Sequence, residues 1–412
     1  MSTDHRDPPD PTTRETWVDP RRSPKLPAVP REPAEDPEEI EPLVRLCQRG
    51  HLYAVERWIA EGRPIQAARY YVKGRRQLDS PLEVAMESRQ HDLALLLLCN
   101  GYRTELEVEH PLSRALRLRY RELLDLLLDW GADPTRVDPD AVLGTNNIDV
   151  LDRFWNLGLD LTAENRLACY LSSPTTKPLC GWAKRHNEDP RVARALALAL
   201  VQVIWNRKER AAHLLVWAGA DTHRRVPILE WHDVEDEDEN EDDETYTAVE
   251  MAVDRGKGSL LRILRPDPQV DDFAKLYASV SDPDTVDFLM RFKPPEDWSA
   301  GILRNIYWIT NEIFDDRADD HRWCLERIAH HGGRLTTVDP KRVNDLRRDI
   351  LRMLKTERQR WLLDWLGNPR HCDPSIYDGL MRTPAMQAKI GELRLRSRLQ
   401  MMRAARAASR VP

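Results

Sequence analysis

The sequence predicts an all-α fold: a solenoid of stacked helix pairs, with a disordered N-terminal arm and a basic C-terminal helical segment. Three observations predict it. Segments 41–63, 80–102 and 110–132 align without gaps, and each closes on a glycine. The composition, 41 % hydrophobic and 32 % charged, suits an elongated helical chain with much surface per residue. Nine of the 29 prolines fall within residues 1–39, which marks off the arm.

The arm comes first. So many prolines and charges cannot bury enough apolar surface to offset chain entropy. Its stretch "RRSPKLPAVPR" sets Arg21, Pro24 and Pro27 in the R-x-x-P-x-x-P form that Src-homology-3 domains read, because proline pre-forms the left-handed extended helix. A plain tether is the other reading. A start this polar is not a secretory signal.

The aligned copies are "EPLVRLCQRGHLYAVERWIAEGR", "SPLEVAMESRQHDLALLLLCNGY" and "HPLSRALRLRYRELLDLLLDWGA". Pro42, Pro81 and Pro111 sit where a helix begins, where a missing N–H costs nothing and φ is already set. Small residues such as Ala85 and Ala115 let a short first helix pack closely. A Leu-rich second helix buries a wide apolar stripe, and Gly62, Gly101 and Gly131 supply the left-handed turn that ends it. One such pair cannot bury its apolar faces alone, so neighbours must stack.

This pattern resembles the ankyrin repeat, whose consensus runs T-P-L-H-x-A-A, then G-H, V-V-x-x-L-L and G-A. "DLLLDWGADP" (125–134) is the closest local match. Weaker copies close at Gly158 and Gly219, Thr247 and Ala252 restore the opening, and "DFAKLYASVSDPDTVDFLMRF" follows. Residues 162–190 hold a poor copy broken by "SSPTTKP". The resemblance implies about nine or ten ankyrin-like pairs. The organisation expected is a disordered arm at 1–39, repeats at 40–295 with finger insertions at 66–79 and 222–244, divergent helical repeats at 296–368, and a cap and basic helix at 369–412. The chain also departs from the pattern. The consensus histidine is replaced by Val44, Glu83, Ser113 and Glu250, and the mid-unit glycine survives only as Gly50 and Gly256. The hydrogen bonds drawn from that histidine must be replaced or lost.

The two insertions differ in charge. The first, "QAARYYVKGRRQLD", mixes Arg69, Lys73, Arg75 and Arg76 with Tyr70 and Tyr71. Such interleaving can grip phosphate, an acidic peptide or an exposed base. The plainer reading is a solvated hairpin whose tyrosines pack on the next repeat. In the second, ten of the twelve residues Asp233 to Glu244 are acidic. It lacks the central glycine of a calcium loop, so solvation or attraction of a basic partner is expected instead. Removing those ten carboxylates from the net charge of −7 leaves +3.

After Gly367 the pattern ends. "GELRLRSRLQMMRAARAASR" reads as a basic helix, a polar cap for the array or a helix that meets a partner or an anionic surface.

Chemistry-bearing motifs are missing. There is no phosphate-cradling glycine loop, H-E-x-x-H, G-x-S-x-G or kinase signature. The six cysteines form no C-x-x-C pair and read as reduced, partly buried thiols rather than a zinc site or disulfide framework. His330 and His331 are adjacent on a helix, about 100° apart, and make poor joint ligands. The longest apolar run, from Ala195, is too short to span a bilayer. Trp58, Trp130, Trp155, Trp217, Trp361 and Trp365 fall in or at the end of second helices and are expected in the core. Trp231 and Trp298 lie outside the clear helices and would be anchors if exposed.

The resemblance implies a non-enzymatic, cytoplasmic interaction scaffold that binds a protein partner on first helices and finger loops. That face would carry Val44, Arg45, Gln48, Glu83, Glu87, Ser88, Ser113, Arg114 and Arg117. The candidate contacts are Arg69, Tyr70, Tyr71, Lys73, Arg75, Arg76, Glu83, Glu87, Arg114 and Arg117, together with Trp231, Glu235, Asp236, Glu237, Asp238, Arg394, Arg398 and Arg403. No catalytic, cofactor or metal residue and no small-molecule substrate is expected. Positive charge is not concentrated as nucleic-acid binding requires. The alternative is a regulatory subunit that restrains or recruits an enzyme on another chain, with the charged loops as switches. A third reading, an unrecognised hydrolase or metal-dependent activity, would sit in 296–412.

Overall fold

The computed structural model describes residues 32–70, 79–107, 109–173, 177–228, 245–292, 294–311, 318–353 and 360–392. The chain divides into two compact units, the first ending at Leu161 and the second beginning at Thr162. That seam falls inside the stretch 40–295, which the repeat pattern reads as one array. Among the described residues the fold is all-α. The exceptions are a two-residue antiparallel strand pairing and two single bridges. No described helix is long and apolar enough to cross a membrane.

In the first unit the helices come in pairs: α1 (Glu41–Gln48) with α2 (Leu52–Ala60), α3 (Pro81–Glu87) with α4 (His91–Cys99), α5 (Pro111–Arg117) with α6 (Arg121–Asp129), and α7 (Pro139–Leu143) with α8 (Ile148–Asn156). Prolines occupy the first or second position of α1, α3, α5 and α7. First helices pack on one another, α1 on α3 and α5 on α7, while α2, α4 and α6 form a second row. Leu82, Leu97, Leu112, Leu123, Leu127, Leu151 and Phe154 are fully buried between the rows.

Each of these second helices ends in a left-handed residue. At Gly131 (φ +81°) its own N–H donates to Leu128 O (3.0 Å), and the N–H of Ala132 donates to Leu127 O (3.0 Å). A Cβ on Gly131 would meet nothing within 4 Å, so the demand on this position is conformational rather than steric. The first helices close the same way, α1 on Gly50 but α3, α5 and α7 on the non-glycine residues Arg89, Arg119 and Asn146. Arg119 (φ +53°) donates to Leu116 O (3.0 Å), and Tyr120 to Ala115 O (3.0 Å). A non-glycine residue there costs roughly 1–2 kcal/mol. Arg119 is exposed and its side chain has no partner among the described residues. Arg119→Gly is therefore expected to raise stability by about 1 kcal/mol, less what the unfolded chain gains in freedom. Urea unfolding with an unchanged m-value would register this, and a lower midpoint would contradict it.

Three of the four places where the resemblance expects histidine make side-chain hydrogen bonds by other means. Glu83 forms a reciprocal cap with Ser80, and Glu250 does so with Thr247. Ser113 Oγ accepts from the N–H of Asp138 (3.1 Å). Val44 is simply buried.

Structure also begins earlier than the boundary expected at residue 39. The N–H of Ala34 donates to Gln66 O (2.9 Å), the N–H of Ala68 donates to Ala34 O (2.9 Å), and Ala34, Pro37 and Ile40 are buried. Composition cannot register such pairing, because it depends on a segment thirty residues away meeting Ala34. The Arg21–Pro27 motif lies outside the described residues.

The second unit has two rows of its own. One holds α9 (Arg166–Leu171), α11 (Pro190–Trp205), α13 (Ala248–Asp254), α15 (Phe273–Ser279), α17 (Ser299–Asn311), α19 (Pro340–Met353) and α21 (Pro374–Met381). The other holds α10 (Lys177–Arg185), α12 (Glu209–Trp217), α14 (Gly258–Leu264), α16 (Pro283–Leu289) and α18 (Ala318–His330). α20 (Arg360–Leu366) follows α19. α11 is a long first helix of 16 residues, capped by Asp189 and free of breakers through its Ala/Leu/Val run. β1 (Val226–Pro227) and β2 (Thr245–Tyr246) form the stem of the second insertion. Residues 384–392 are helical, with Met386 buried.

Two tryptophans expected in the core are not there. Trp217 is 53 % exposed, its ring covered on one side by Lys184 Nζ at 4.1 Å, and Trp130 is 37 % exposed. Trp217 is the last residue of its second helix, and Trp130 is the residue that follows the end of α6. Trp58 and Trp365 are buried. Trp298 is buried too, edge-on to Tyr277 at 5.1 Å, so it is no exposed anchor.

Candidate functional site

The first unit brings four of the expected contact residues together. Glu83 and Glu87 are one turn apart on α3, and Arg114 and Arg117 one turn apart on α5. Arg114 reaches from α5 to Glu83 and to Glu87 (2.7 Å) on α3, and to Glu109 (3.1 Å) in the loop before α5. Arg117 pairs with Glu109 as well. The cluster grades from inside to outside. The Arg114 and Glu83 side chains are 19 % and 15 % exposed, whereas Arg117 and Glu87 are 60 % and 54 % exposed. The inner pair is structural by burial, and the outer pair presents one charge of each sign to solvent.

A polar network lies behind it. Tyr70 and Tyr102 are buried with their hydroxyls 3.1 Å apart. The N–H of Ala67 donates to the Tyr70 hydroxyl (3.3 Å), and Tyr102 donates to Glu107. The N–H of Arg103 donates to Gln66 Oε1 (2.6 Å), which ties the base of the first insertion to the loop after α4. Burial pushes the Glu107 carboxyl up to about 7, against hydrogen bonds from Tyr102 and Ser80 that favour its ionised form. A cleft of about 380 Å³ opens beside these groups, lined among others by Glu105, Glu107, Glu109, His110, Arg117 and Arg136. Burial and the charge of Arg136 lower the His110 pKa, with Asp133 opposing.

Tyr70 needs correction as a contact residue. It is 2 % exposed, so it cannot meet a partner. Its hydroxyl is satisfied from inside, as a buried tyrosine requires. Arg69 next to it is exposed. Tyr71, Lys73, Arg75, Arg76, Trp231, Glu235, Asp236, Glu237, Asp238, Arg394, Arg398 and Arg403 lie outside the described residues.

Sequence reasoning missed Tyr102, Glu107 and Glu109, which lie at or beyond the end of one aligned copy and before the core of the next. The acidic alternation "ELEVE" at 105–109 facing an R-x-x-R on α5 was the available signal.

Elsewhere the tempting motifs resolve into packing. His331 Nε2 meets Asp287 Oδ1 at 2.7 Å, and His371 stacks on Trp365 at 5.0 Å. All six cysteines are free thiols, with Cys47, Cys180, Cys324 and Cys372 buried, and burial pushes Cys47 up to about 12. No group of metal-ligating side chains stands together among the described residues. No family model and no curated protein matches the chain.

Proposed function

We propose that this chain is an ankyrin-type helical solenoid acting as a non-enzymatic scaffold, and that it binds a protein partner through the α3–α5 face and the adjoining insertion. The observation that carries this reading is the graded ionic cluster. Its inner members hold α3 to α5, while Glu87 and Arg117 are exposed, as is Arg69 at the start of the insertion. A surface of this kind favours a partner of mixed charge and confers specificity through sign complementarity more than raw affinity. The repeated left-handed closures and the two helix rows support the ankyrin-type assignment.

The test is affinity capture from the native source with the full chain, the double charge reversal Glu87→Lys/Arg117→Glu, and a distant control, Arg382→Glu. The partner captured by wild type and the control is expected to be lost, or reduced about tenfold, with the double reversal. Capture unchanged by the double reversal would remove this face from consideration.

A further inference from the structure

The second unit carries a cleft that the proposed partner surface does not use. It lies along the edge formed by successive helix-to-helix turns and encloses about 260 Å³. Arg207 closes α11 in a left-handed conformation (φ +58°), and Gly256 closes α13 (φ +62°), so equivalent turns of neighbouring pairs bring Arg207 and Arg255 to one place. Ser281 and Asp282 from the α15–α16 turn, and Trp308 and His321 from α17 and α18, complete the wall.

The cations in this cleft are unequally paired. Lys257 is held by Glu209 at 2.8 Å, and Arg304 by Asp254. Asp282 is occupied capping α16, accepting from the N–H of Thr285 (3.0 Å) and from its hydroxyl. Two guanidiniums are less fully engaged. Arg207 is exposed and has no partner among the described residues. Arg255 lies 3.2 Å above the centroid of Trp205 and makes no hydrogen bond there; its nearest carboxylate, Asp254, is 3.9 Å away. Two carboxylates stand nearby, Asp282 in its cap and the exposed Asp320, and neither is paired with Arg207 or Arg255. Burial, then the charges of Arg207 and Arg304, lower the Arg255 pKa, with Asp254 opposing. A stacked, part-buried guanidinium crowded by like charge is stabilised by an anion.

We propose that this cleft binds an oxyanion, a phosphate or carboxylate group held between Arg207 and Arg255. Such a group has two sources. One is a ligand bearing a phosphate. The other is the acidic run Asp233–Glu244 of this chain, which leads directly into β2.

Calorimetric titration of the full chain with inorganic phosphate, at constant ionic strength, tests the proposal. Saturable binding is expected, weakened about tenfold or more by Arg207→Ala and by Arg255→Met, and unchanged by Arg382→Ala. Arg207 is exposed and unpaired, so its loss reads out binding rather than folding. A further chain, with the ten carboxylates of 233–244 converted to amides, separates the sources. Phosphate binding about tenfold tighter in that chain identifies the acidic run as the resident anion. Equal binding in both chains identifies an external ligand. Absence of phosphate binding in both chains, or binding indifferent to Arg207→Ala, overturns the proposal.

Discussion

Replacing Arg114 by methionine is expected to destabilise the first unit by about 3 kcal/mol. The side chain is 19 % exposed and its main partner, Glu83, 15 % exposed, so little water reaches either charge. Glu83 cannot swing away to recover solvation, because it also accepts from the N–H of Ser80 in the cap of α3. Removing Arg114 therefore strands a desolvated carboxylate and leaves Glu109 with Arg117 alone. Breaking one half of a buried pair costs more than the pair contributes to stability, since the surviving charge carries the desolvation penalty. The double variant Arg114→Met/Glu83→Gln should regain most of the loss, because glutamine still closes the cap. Urea unfolding measures both. A single variant as stable as wild type would mean that the cluster is solvated and contributes little, as exposed pairs do.

Stability is also expected to fall as pH rises from about 5 to about 8, and the reason is Glu107. Its folded pKa of about 7 lies above the ordinary value of 4.5. The folded state thus holds a proton that the unfolded state releases across that interval. The stabilisation is complete below the unfolded value and is lost as pH climbs through the folded one. A shift of this size amounts to roughly 3 kcal/mol at most. In Glu107→Gln the carboxamide accepts from Tyr102 at every pH, so its midpoint should vary less with pH than that of wild type. Asp282 is also pushed upward by burial, so the decisive quantity is the difference between the two chains rather than the slope of either. If both lose stability in parallel, Glu107 is not the titrating group. The two predictions interact. The Arg114 charge lowers the Glu107 pKa, so Arg114→Met should move the Glu107 transition to higher pH, and their effects should not add.

Much of the helical framework was legible in the sequence, and for local reasons. Pro81 and Pro111 start helices because a residue without an N–H fits the first turn. Gly101 and Gly131 end them because a left-handed residue is needed to turn the chain. The four-residue spacing of leucines such as Leu93 and Leu97, or Leu123 and Leu127, told which side is buried. All of these depend on residues within one or two turns of each other. The candidate face was half legible. Glu83, Glu87, Arg114 and Arg117 could be placed on first helices by register. That Arg114 would hold α3, and that Glu109 would join it, could not.

What the sequence determined by itself is where helices begin and end and which residues share a helix face, since periodicity and turn chemistry are short-range. What only the tertiary structure decided is which of the marked residues face solvent. Tyr70 read either as a contact aromatic beside four cations or as a tyrosine packed on the next repeat, and its burial against Tyr102, thirty-two residues away, decided for the second. Trp217 looked like core and stands in water under Lys184. Arg119 and Arg207 carry no turn signature, yet both adopt the left-handed conformation because the paired helices must reverse direction there. In each case the outcome depends on what a second helix pair places opposite the residue, and burial, unlike periodicity, is a property of the pair.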